Sequence, residues 1–128
     1  MNSEAAILVI DDEHEAILVA SAIALHAPRL RVHTVPNWRS AVRYLTDAEV
    51  QKILPRLVIL GRSAVGEAPS GMPLLGRGEM AVVGLAPDLS ARTKDRALAA
   101  GVQALYDRPM GWDQYSATVR AILAKWLN

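Results

Sequence analysis

Asp11 and Asp12 stand side by side at the end of an apolar run, Ala5–Ile10. Residues 1–15 hold Glu4, Asp11, Asp12, Glu13 and Glu15 and no base, whereas residues 29–43 hold Arg29, Arg31, Arg39 and Arg43 and no acid. Such runs are ordinarily solvated surface, but an acid pair that directly follows a strand is a different case. Carboxylates crowded at a strand end repel one another, and an adjacent guanidinium relieves the repulsion. Arg108 follows another short apolar run. The expected arrangement is therefore an ion-pair network in which Arg108 reaches across the strand ends to Asp11 and Asp12.

Other chemistry finds little footing. The 128 residues include no cysteine, which excludes a disulfide scaffold, a cysteine–zinc site, an iron–sulfur cluster and a thiol nucleophile. His14, His26 and His33 lack metal-ligand spacing and read as surface or helix-end residues. Ser63 has no base positioned to activate it. Gly61, Gly66, Pro69, Gly71, Pro73, Gly76 and Gly78 crowd residues 61–79, but no Gly-Lys-Ser/Thr ending makes this a P-loop. The stretch, bracketed by Arg62 and Arg77, reads as a mobile solvated loop. A net charge of +1 gives no global field for nucleic acid. No apolar run approaches the roughly 18 residues of a membrane span, and the first ten residues are not a signal peptide. A cytoplasmic protein is expected, and the lack of cysteine suits that compartment.

The elements that must position these residues follow from hydrophobic spacing. At 52% hydrophobic and 21% charged, 128 residues form one globular domain, 1–128. Ala5–Ile10 is continuous, as for a strand covered on both faces. Asp12–Ala27 repeats Ala16, Val19, Ala20, Ile23 and Ala27 at helical spacing, closed by Pro28. Arg31–Val35 is a second strand, and Asn37 caps a helix burying Ala41, Val42 and Leu45. Leu57–Leu60 is a third strand. The breakers of 61–79 leave room for a turn or two of helix at most. Met80–Leu85 is a fourth strand, followed by a helix from Asp88 or Ser90 to about Ala100. Val102–Tyr106 is a fifth strand. Gly111–Leu127 is the fifth helix, with Trp112, Tyr115, Val119, Ile122 and Trp126 on one face. Strands alternating with helices predict a parallel sheet with right-handed crossovers and helices on both faces. Ligands of such sheets sit at the carboxyl ends of the strands, which brings Asp11, Asp12, Pro36, Gly61, Ala86 and Arg108 to one end.

Ile7-Leu8-Val9-Ile10-Asp11-Asp12-Glu13 resembles the opening of a response-regulator receiver domain. Three further segments match in order: Asn37–Leu45 the family's second helix, Ala97–Val102 the end of its fourth helix, and Arg108-Pro109 its Lys-Pro pair. The resemblance covers nearly the whole chain. It implies a flavodoxin-like (CheY-like) fold, five parallel strands in the order 2-1-3-4-5, with the third helix here short or missing. It also implies a phosphoryl group carried on aspartate. That chemistry needs two carboxylates after the first strand to hold Mg²⁺, a hard cation that prefers oxygen, and an acceptor aspartate after the third. It needs a Ser or Thr after the fourth, a lysine after the fifth, and an aromatic relay on the fifth strand.

Only the first requirement is met, by Asp11 and Asp12. Gly61 stands where the acceptor aspartate belongs, and no acid lies between Lys52 and Glu67 to replace it in another register. Ala86 replaces the hydroxyl. Arg108 replaces the lysine, keeping the charge but not the compact ammonium. Leu105 occupies the relay position, with Tyr106 one residue later on the other face. The chain thus resembles a degenerate, pseudo-receiver member of the family. Beside the ion-pair network, the second reading of Asp11 and Asp12 is residual Mg²⁺ binding, weakened by loss of the third carboxylate.

The first helix carries a second apolar stripe, Ile17, Leu18, Ala22 and Leu25, at angles next to its core stripe. With Trp112 on the neighbouring fifth helix, it is the expected face for a partner protein or for a homodimer through the first and fifth helices. The reading is a non-catalytic, phosphorylation-independent interaction module of bacterial-type two-component signalling. The alternative is a small-ligand sensor with its pocket between the strand ends and the Gly61–Glu79 loop. Direct nucleic-acid or membrane binding by this domain is not expected. The ending at Leu127-Asn128, right after the fifth helix, resembles a receiver cut from a longer regulator.

Overall fold

The computed structural model describes residues 7–51, 54–75 and 80–127. Five strands, β1 (Ile7–Ile10), β2 (Val32–Val35), β3 (Leu57–Leu60), β4 (Ala81–Ala86) and β5 (Ala104–Asp107), form one parallel sheet in the order β2-β1-β3-β4-β5. This is the order expected from the resemblance. β1 and β3 are buried at every position because both faces of the sheet are covered. Alternate residues therefore feed two core layers. Ile7, Val9, Leu57, Ile59, Val83 and Leu85 pack under α1 (Glu13–His26) and the last helix, α6 (Trp112–Trp126). Leu8, Ile10, Val58, Leu60 and Val82 pack on the other side, under α2 (Trp38–Gln51) and α5 (Ala91–Ala99). No helix among the described residues is long and apolar enough to cross a membrane.

Caps fall where short polar side chains can satisfy the free N–H groups of a first turn. Asp12 accepts from the Glu15 N–H at 3.0 Å, Asn37 from the Ser40 N–H at 2.9 Å, and Ser90 from the Thr93 N–H at 3.1 Å.

The third crossover is indeed short of helix. It consists of α3 (Arg62–Gly66), α4 (Ala68–Gly71) and a 3₁₀ turn at Met72–Leu75. The expectation of a mobile solvated loop is corrected for residues 62–75; residues 76–79, with Arg77, lie outside the described residues. Ala64, Val65, Ala68 and Gly71 are buried. Trp38, 6% exposed, is the cause. Its indole packs flat on the Gly71 backbone, where any side chain would overlap the ring, and its Nε1–H donates to the Ala64 carbonyl at 2.9 Å.

α1 is rotated from the expected setting. Its buried residues are Ala16, Val19, Ala22 and Ile23, while Ala20 is only half-buried. Ala22 therefore belongs to the core, not to an outer face, and half-buried Leu18 packs against the same core. The reason is that α1 must cover the sheet and pack on α6 as well, which turns its inner arc toward that helix. Ile17 (58%), Leu25 (61%) and Trp112 (45%) stay exposed.

Candidate functional site

The carboxyl ends of β1, β3, β4 and β5 bring the expected residues together, and main-chain hydrogen bonds fix their spacing. The Asp11 N–H donates to the Val35 carbonyl at 3.0 Å, the Gly61 N–H to the Ile10 carbonyl at 2.8 Å, and the Arg108 N–H to the Ala86 carbonyl at 3.2 Å. The centre of this end is Gly61. A Cβ there would overlap the Asp11 carboxyl group, so Asp11 occupies the space a side chain at position 61 would need. The φ of Gly61 is −81°, open to any residue. Close approach, and not backbone conformation, is what requires glycine here.

Asp11 is thereby half-buried, and burial is the main reason its carboxyl is pushed up to about 6; the nearby charges of Asp12 and Glu15 add to the shift, while the Asp12 N–H bond and the Arg108 charge oppose it. Its Oδ1 accepts from the Asp12 N–H at 2.8 Å. A carboxyl raised in the folded state adds stability that is complete below the pKa of the unfolded chain and is lost as pH rises through about 6. Stability is therefore expected to decline between about pH 4 and pH 7 through this residue. Asp11→Asn, which keeps the acceptor oxygen, should remove that decline. It should raise neutral-pH stability by about 1–2 kcal/mol after discounting for the group's partial exposure. Urea melts across that range test this; an Asp11→Asn curve parallel to wild type would refute it.

Arg108 is paired differently from expectation. Its Nε–H donates to Glu15 Oε1 at 2.6 Å, with both side chains mostly buried. Neither Asp11 nor Asp12 forms a salt bridge with it, although its charge is felt at Asp11. The reason lies in α1. Asp12 turns its carboxyl inward to cap the helix, and Glu15, one turn on, has the length to meet the guanidinium. The Arg108 guanidinium also lies 5.3 Å from the Tyr115 ring centroid. The Tyr115 hydroxyl is buried and has no hydrogen-bond partner among the described residues. Burial first, and the Glu15 charge next, push it above the ordinary tyrosine range. Glu15, Tyr115 and Trp38 are the site and support residues that sequence reasoning passed over. A signal was present for the cap alone: Asp12-Glu13-His14-Glu15 has capping-box spacing, which marks Asp12 as a cap, but such a box would turn Glu15 back to the Asp12 N–H, which Asp11 Oδ1 accepts instead.

Asp11 and Asp12 are the carboxylates that the resemblance assigns to Mg²⁺. Asp11 Oδ1 and Asp12 Oδ1 each accept a main-chain N–H, and the Gly61 carbonyl accepts from the Val65 N–H at 2.9 Å. No three His, Asp or Glu side chains gather as a metal site among the described residues. On the fifth strand, Leu105 packs into the layer under α2 and α5. Tyr106 points to the opposite layer, where its hydroxyl accepts from Trp126 Nε1–H at 2.9 Å.

No protein-family model and no curated protein matches the chain. Solved structures do. A response regulator in red-light signalling of R. palustris superposes with a TM-score of 0.79 at 19% identity, over 95% of this chain and 93% of that one. The phosphorylated cyanobacterial phytochrome response regulator RcpA gives 0.77 at 22% identity, over 98% and 96%. A response regulator from Hahella chejuensis gives 0.76 at 20% identity, over 95% and 94%. The fold is that of response-regulator receiver domains.

Proposed function

We propose that this chain is a non-catalytic, cytoplasmic receiver-fold module of two-component-type signalling that works without aspartyl phosphorylation and acts by binding protein. One observation carries the reading: at the end of β3, Gly61 offers no carboxylate, and the Asp11 carboxyl fills the space one would take. The neighbouring positions agree. Ala86 has no hydroxyl to sense a phosphoryl group, Arg108 is engaged by Glu15, and Leu105 is packed in the core. Incubation with Mg²⁺ and acetyl phosphate, or with a phosphorylated histidine kinase, should leave the intact mass unchanged while a receiver with its acceptor aspartate is loaded in parallel. A stoichiometric phosphoryl addition on an aspartate of this chain would overturn the proposal.

The ligand-sensor reading has one observation in its favour. A hollow of about 450 Å³ lies beyond β3 and β4, lined by Arg62, Ser63, Gly66, Asp88, Ser90 and Thr93 among others. Its walls are largely exposed, with Asp88 facing the same space as Arg62, so the interaction module is preferred. A rise in melting temperature on screening small anions would reverse that preference.

A further inference from the structure

A hollow of about 590 Å³ lies at the amino end of the sheet, away from Gly61. Small-molecule sites span about 300–1,000 Å³ and are mostly apolar, with a few polar groups that fix the ligand's orientation. The hollow has that make-up. Leu25, Leu30, Leu123 and Leu127 line it, with Arg56 and Arg120. Leu25 is 61% exposed, and Leu30 and Leu127 are half-buried, so the apolar lining is open to water.

The walls are tied to one another. His26 Nε2–H donates to the Ser116 carbonyl at 3.0 Å, which joins the end of α1 to α6. Arg56 Nη2–H donates to the Leu127 carbonyl at 2.8 Å, which joins the start of β3 to the end of α6. A site formed in advance loses less freedom when a ligand enters.

The charge around the hollow has one sign. No acid lies between Glu15 and Asp47 or after Asp113, and no acid lines the hollow among the described residues. Arg56 spends part of its donor set on the end of α6, where a cation answers the free carbonyls of the last turn. Arg120 has no such use, since it forms no ion pair among the described residues. Its guanidinium is a planar fork that matches a carboxylate bond for bond. A bare inorganic anion would gain nothing from the leucines, and a neutral chain would gain nothing from the guanidinium. An anion with an apolar tail uses both.

We infer that this hollow binds a free single-chain carboxylate amphiphile, a fatty-acid-like molecule whose head pairs with Arg120 beside Arg56 and whose chain lies along the four leucines. The site goes beyond the protein-binding reading and shares no residue with the Gly61 end of the sheet.

Titration of the full chain with sodium decanoate below its micelle concentration, followed by calorimetry and amide NMR shifts, is the test. Saturable binding is expected, with shifts gathered at residues 25–30 and 120–127 and not at Asp11 or Gly61. Arg120→Glu and Leu25→Glu, both at exposed positions, should keep the wild-type circular dichroism and weaken binding about tenfold or more. Decanol and acetate should each bind about tenfold more weakly than decanoate, or worse. Failure to saturate, a variant that binds as tightly as wild type, a control that matches decanoate, or shifts gathered at the Gly61 end overturns the inference. So does a chain that ignores free decanoate but sediments with phosphatidylglycerol vesicles, which would make this surface a membrane contact. The phosphoryl-transfer experiment is independent, so a chain that refuses both decanoate and phosphate would sink this site and leave the phosphorylation-independent reading standing.

Discussion

Gly61→Asp, which puts a carboxyl group at the end of β3, is expected to lower stability by about 2–3 kcal/mol at neutral pH and to confer no phosphorylation. The new Cβ needs the space held by the Asp11 carboxyl group. Asp11 must swing away, which breaks its 2.8 Å bond from the Asp12 N–H and crowds a third carboxylate beside Asp11 and Asp12. Like charges confined together disfavour ionisation of both, so the loss should shrink as pH falls. Adding Asp11→Ala should recover more than additivity allows, by about 1–2 kcal/mol, because the two sites compete for one volume. Denaturant melts of the four proteins of this cycle measure it. A Gly61→Asp chain as stable as wild type would mean that Asp11 vacates its place without cost.

Trp38→Ala should be costlier still, at about 3–5 kcal/mol. The indole is 6% exposed, and its removal opens a cavity between α2 and the α3–α4 segment. It also strands the Ala64 carbonyl, which now accepts from the ring N–H at 2.9 Å. Amide exchange should then rise first in residues 62–75, ahead of the strands, because that segment has little regular structure of its own and depends on the ring. Trp38→Phe keeps a ring over Gly71 but loses the donor, and should cost only about 1–2 kcal/mol of that total. Uniform protection loss across the sheet in Trp38→Ala would show that the ring supports the whole core and not this crossover.

The two substitutions mark the division between what could be read along the chain and what could not. Alternation of apolar strand runs with helical spacing determined a parallel sheet, because only helices on both faces can cover strands as apolar as Ile7–Ile10 and Leu57–Leu60. The absence of an acid from the end of the third strand was equally plain, since no choice of register between Lys52 and Glu67 supplies one. Side-chain partnership was another matter. Both Asp11 and Asp12 lay within plausible reach of Arg108, and the actual partner, Glu15, was settled when Asp12 committed its carboxyl to capping α1 and Asp11 filled the space over Gly61. The setting of α1 was likewise open to sequence. A helix apolar on all sides has no unique inner face from periodicity alone, so contact with α6 decided that Ala22 goes in and Ser21 stays out. Composition also suggested a loose loop at 61–79, because glycine and proline report the lack of local preference for helix. That residues 62–75 are nonetheless held in short helical turns follows from one indole on a different helix, a contact between distant residues that no local spacing encodes.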